Sequence, residues 1–201
     1  MQILAWIAAV TLLVSSIGLL ISRNWRTSIT LLSIQYLAMF ILLLLRLPIG
    51  LASVKVVSGW MSAAILGMTR SGLTGNDAVD EEGIWPRGRL FRVFMAGVVG
   101  ILVLGATPAV ENLMADAGIA ITGGSLILIA MGLLHLGITS QVMRVTLGLL
   151  TVLTGFEILY STVEGSALVI ALLAIITLGI ALVGSYLMIA TGSSKTETGS
   201  L

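Results

Sequence analysis

QVMRVTLGLLTVLTGFEILYSTVE, residues 141–164, is an apolar run of helix length with one carboxylate, Glu157, set in its interior and a second, Glu164, at its end. An ionisable side chain in hydrocarbon costs about 3 kcal/mol on insertion scales, so a helix that keeps one usually keeps it for function, with a partner nearby. The stretch therefore predicts a membrane helix, and the rest of the chain should supply a membrane protein around it.

Composition agrees. The 201 residues are 58% hydrophobic and 9% charged, with a mean hydropathy of +1.14, far from soluble averages in both directions. Nine acidic and ten basic residues are nearly balanced and form no basic stripe, which excludes nucleic acid as a partner. With no cysteine and one histidine, His135, disulfides, thiol redox centres, haem pairs and the common zinc patterns are excluded. Neither a cofactor nor a bound metal is expected, and any electron transfer would occur in another subunit. The N-terminal run lacks a basic leader region and is too long for a signal segment, so it reads as a retained first span.

Hydrocarbon about 30 Å thick requires roughly 17–25 apolar residues of helix. Seven runs qualify: 3–22, 28–45, 49–69, 90–108, 124–140, 144–163 and 166–190. The third contains Lys55 and three serines and either spans or lies on the interface. Spanning is favoured, because Trp60 is central and no basic face lines the run. Basic residues in short loops stay on the cytoplasmic side. With the N-terminus outside and the third run spanning, the inside segments carry Arg23, Arg26, Arg70, Arg87, Arg89, Arg92, Arg144 and Lys195, against Arg46 outside. The expected fold is an all-α integral membrane protein of about seven transmembrane helices, N-terminus outside and C-terminus cytoplasmic.

The longest inside loop, residues 70–89, is rich in turn residues and holds the acidic cluster Asp77, Asp80, Glu81 and Glu82, read as a solvated turn or a docking surface for a neighbour. The outer loop after Pro108 has no motif, and the tail 192–201 is polar and expected to be disordered. Helices one and two flank Arg23 with Gln35 twelve residues on, and helices five and six flank Arg144 with Glu157 thirteen on, a faint mark of duplication.

On helix six, Thr146, Thr154, Glu157, Tyr160, Ser161 and Glu164 share one face at helical spacing. That face is expected to point into the protein, with Glu157 either a proton-carrying group or a hydrogen-bonding link between helices. Burial favours the neutral form of a carboxylic acid and a neighbouring cation favours the charged one, so such a site switches when a nearby charge moves. Lys55 is the candidate cation: counted from its helix end it lies about 10 Å deep, as Glu157 does. A pair is then geometrically allowed, on a small-residue face of Ala52, Ser58, Gly59 and Ser62; the alternative is that Lys55 snorkels to the headgroups. His135 and Gln35 fall about 10 Å from the inner surface. His135 reads as a relay toward Glu157 or as a packed histidine, and Gln35 as a holder of water or an interhelical bond.

From about Ser125 to Tyr186, three closely connected helices, the short loop with Arg144 and the run Gly155-Phe156-Glu157-Ile158 resemble subunit K of the proton-pumping NADH-quinone oxidoreductase and its relative, the C subunit of Mrp antiporters. Gln35 in the second helix and Lys55 in the third resemble the longer form, hydrogenase-4 component E. The resemblance implies helices 1–4 over 1–108, a subunit K-like module over 109–191 and a polar tail over 192–201. It also implies that Glu157 is the proton-path carboxylate of a non-catalytic subunit. Antiporter-like and other membrane subunits would surround it in a prokaryotic-type inner membrane. One departure is plain: the third helix of the module has Ala174-Ile175-Ile176-Thr177 where the family carries a second glutamate. The competing expectation is a structural membrane subunit whose polar residues fix helix packing.

Overall fold

A computed structural model describes residues 2–22, 24–73, 88–114 and 117–198. Every element among them is α-helical: α1 Gln2–Ile21, α2 Trp25–Leu43, α3 Ile49–Gly72, α4 Arg89–Leu113, α5 Ile119–Ile138, α6 Val142–Tyr160 and α7 Ala167–Thr198. All seven are long and apolar enough to cross a membrane. In hydrocarbon the backbone must satisfy its own N–H and C=O groups, and uninterrupted helices do so within each segment. The architecture is that of an all-α membrane-integral protein, and α3 is a full-length helix of 24 residues.

Three boundaries differ most from expectation. The fourth helix does not stop at Pro108 but continues to Leu113: proline adopts a helical φ, and the helix bears the lost bond and the crowding of the Leu104 carbonyl that the ring brings. The fifth begins at Ile119 rather than near 124, because Gly118, with a φ of 85°, turns the chain directly into it. The seventh runs to Thr198, well into the tail expected to be disordered; the sequence offers no proline to end it, and Gly199 follows. The acidic cluster Asp77 to Glu82 lies outside the described residues.

Two helical hairpins, α1–α2 and α5–α6, pack like on like, α1 against α5 and α2 against α6. The α5–α6 seam is the tightest, and glycine is the reason. A Cβ on Gly155 would lie 2.7 Å from the Ser125 carbonyl oxygen, and one on Gly132 would lie 2.8 Å from the Val152 nitrogen. Backbone contact of this kind replaces the hydrophobic drive that helices lose in lipid. α3 and α7 run side by side and close the bundle, α3 also packing on α2. One apolar core, including Leu12, Leu32, Met39, Leu66, Leu128 and Leu150, draws on both sides of residue 108. α4 stands at the margin on α5 and α1, over a smaller cluster of Leu20, Ala96, Val103, Ile127 and Met131.

Candidate functional site: a buried ion pair

Lys55 of α3 and Glu157 of α6 meet inside this bundle. Nζ donates to Oε1 at 2.6 Å, with the two residues 3% and 4% exposed. Lys55 therefore does not snorkel. Its place follows from its neighbours: Ala52, Ser58, Ser62 and Ala63 are all buried on the same flank, α3 packs on α7, and the long lysine side chain spans the remaining distance to α6. Gly59 serves a second approach, because any Cβ there would overlap the ring of Tyr36 on α2.

Thr177 of α7 completes the first ring of contacts. Its Oγ1 lies 3.4 Å from Oε1 of Glu157 and donates to the Leu173 carbonyl at 2.9 Å. A threonine hydroxyl has one proton, so it serves one acceptor at a time, and the shorter contact holds it. Thr177 belongs to the very stretch in which the resemblance implies a second glutamate. Ser62 ties α3 to the same turn of α7, donating to the Ser58 carbonyl at 2.9 Å and lying 3.3 Å from the Thr177 carbonyl.

On the α2 side, the Tyr36 hydroxyl is within electrostatic reach of Thr154 and Glu157 but completes no hydrogen bond of normal geometry. Thr154 spends its own proton on the Leu150 carbonyl at 2.7 Å, leaving its oxygen free to accept. Gln35, beside Tyr36 on α2, is wholly buried, and neither its amide oxygen nor its nitrogen has a partner.

The remaining candidates lie elsewhere. The expected polar face of helix six breaks up at its end, because α6 stops at Tyr160. Tyr160 is half-buried and stacks on Phe156 with centroids 5.7 Å apart; Ser161 donates to the Ile158 carbonyl at 2.7 Å; Glu164 is exposed in the following loop. Helical spacing carries no information about where the helix ends, and these three do not join the pair. Thr146 instead packs under Gly184, where a Cβ would overlap it.

His135 is buried, but toward the α5–α6 loop. Gly155 faces Ser125 and Ile129, and Gly132 faces Gly148 and Val152, so His135 lies level with Leu147 or its neighbours on α6. That is roughly ten residues, or about 15 Å, along the bundle from Glu157. It does lie within electrostatic reach of Arg92 and Arg144. Arg92 donates from Nη1 to the Leu20 carbonyl at 3.2 Å, and Arg144 donates from Nε to Gln141 Oε1 at 3.1 Å. Among the described residues, no three His, Asp or Glu side chains converge on a position that could hold a metal ion.

Tyr36 and Thr177 are the members that sequence reasoning missed. The signals for them are weak: Tyr36 adjoins Gln35, and Thr177 sits in the stretch where the resemblance implies a carboxylate. Compared with known proteins, the chain matches no family model, no curated protein and no solved structure.

Proposed function

We propose that the chain is a non-catalytic membrane subunit of an assembly related to the proton-pumping NADH-quinone oxidoreductase, such as a membrane-bound hydrogenase, formate hydrogenlyase-like or Mrp-type complex. Within it, Glu157 carries or couples proton movement. The observation that supports this most directly is the Lys55–Glu157 pair, buried between α3, α6 and α7 with Nζ and Oε1 2.6 Å apart. Two charges taken out of water repay their desolvation poorly, so a pair kept there points to use of the charge itself. A proton delivered to Glu157 cancels the attraction and frees the ammonium; its departure restores the pair. The second support is the resemblance of residues 125–186 to subunit K, with Glu157 in the position of its carboxylate. Antiporter-like subunits and a prokaryotic-type inner membrane follow from that resemblance.

Glu157→Gln keeps the shape of the side chain and removes its titration. Assembled with its partners in vesicles, the variant is expected to translocate protons or sodium at least about tenfold more slowly, as loss of a proton-transfer group does elsewhere. Undiminished translocation by the assembled variant would sink the proposal. A second reading has its own support: the pair joins α3 to α6, so it also serves as a clamp in a purely structural subunit. In that case Glu157→Gln is silent in transport.

A further inference from the structure

The buried polar atoms on α2 have no role in the ion pair, and one of them, the Tyr36 hydroxyl, lies within electrostatic reach of Glu157. Gln35 is 0% exposed and Tyr36 1% exposed, and the amide oxygen, amide nitrogen and phenol oxygen all lack protein partners. They stand on consecutive residues of one helix, at one depth. Buried polar groups in native structures almost always have a hydrogen-bond partner, so a set of three without one calls for an occupant. Nearby oxygens narrow its chemistry. Thr154 offers lone pairs, since its proton is committed to the Leu150 carbonyl, and it lies in reach of the Tyr36 hydroxyl. An occupant must then both donate to oxygen and accept from the amide N–H and the phenol. It must also be small and uncharged, because Lys55 and Glu157 already neutralise each other. Water meets each requirement, and a buried water typically takes two to four such partners.

We infer that Gln35 and Tyr36 hold buried water on the α2 side of Thr154, and that the Tyr36 hydroxyl is the group through which this water exchanges protons with Glu157. A proton reaching the water passes to Tyr36 Oη as the phenol releases its own proton toward the Glu157 carboxylate. One proton enters and one leaves, and the phenol is neutral before and after. The hydrated site stands on these side chains alone; the part played by Tyr36 in exchange rests on the proposed proton-carrying function of Glu157.

Hydroxyl-radical footprinting of the full chain in vesicles, read by mass spectrometry, tests the site without any transport assay. Radiolysis oxidises buried tyrosines only where water adjoins them. Met39, also fully buried and one turn further along α2, is intrinsically more reactive and serves as the dry control. Tyr36 is expected to be oxidised while Met39 stays protected, and Gln35→Leu is expected to lower oxidation of Tyr36 by roughly tenfold as the water loses its partners. Continued protection of Met39 shows that the variant is folded. Tyr36 as protected as Met39 in the native chain, or equally oxidised with and without Gln35, overturns the hydrated site. For the exchange step, Tyr36→Phe in the assembled complex is expected to slow translocation, and unchanged translocation overturns that step. Unchanged translocation by Glu157→Gln with a labelled Tyr36 would instead remove the transport function and leave the hydrated site in place.

Discussion

At the level of single residues, the Lys55–Glu157 pair makes a thermodynamic prediction independent of function. Removing one member of a buried pair leaves the other desolvated and uncompensated, a loss of about 3–5 kcal/mol, whereas replacing both by neutral groups of similar volume is close to neutral. Lys55→Met should therefore lower the unfolding temperature of the purified chain in detergent, and adding Glu157→Gln should restore most of it. Losses that simply add in the double variant would show that the two groups are not coupled. This pair is legible in the sequence, because depth along a helix follows from counting residues, and charged groups are few enough that only one cation fits. Tyr36 and Thr177 are not legible in the same way. Hydroxyls are common in apolar helices, where they bond their own preceding turn, as Thr146, Thr151 and Thr154 do. Which of them also faces a charge depends on how far each helix is rotated about its axis.

At the level of elements, glycines separate into those that helices close upon and those that face open space. On Gly155, an added methyl would meet backbone atoms of Ser125 and Ile129 at 2.7 and 2.8 Å, and backbone cannot move aside without parting α5 from α6. Gly155→Ala is expected to cost about 1–3 kcal/mol, the usual penalty of overpacking. Gly105 in α4 has nothing within 4 Å, so Gly105→Ala should be neutral or stabilise by up to about 1 kcal/mol through its better helix propensity. Parallel thermal melts of the two variants check the contrast, and equal effects would contradict the α5–α6 seam. Helix existence is plain from run length and hydropathy. Helix ends are not, because Pro108 fits inside a helix, Gly118 starts one and no proline ends α7 before Thr198. The same ambiguity of helix ends misplaces Glu164, whose place on the shared face requires a helix that continues past Tyr160.

At the level of the whole molecule, if all seven helices of the described residues span, the two ends of the helical chain fall on opposite sides, with the α2–α3, α4–α5 and α6–α7 connections on the side of the N-terminus. The excess of arginine in the other loops predicts that the N-terminal side is outside. The chain has no native cysteine, so single replacements give a clean background. Val163→Cys in the α6–α7 connection should react with a membrane-impermeant maleimide in intact cells, and Ser71→Cys near the end of α3 only after permeabilisation; both positions are exposed. The reverse pattern would invert the topology. The number of helices and the presence of two charges deep in the apolar mass were determined by the sequence itself, because hydropathy and length act locally along one segment. That Lys55 turns to Glu157, that Thr177 and Tyr36 stand beside them, and that His135 lies a third of the way down the bundle or more from the pair were decided only by tertiary structure. Those relations depend on the rotation and closeness of neighbouring helices, which small residues such as Gly59, Gly132 and Gly155 set by permitting contact at particular turns.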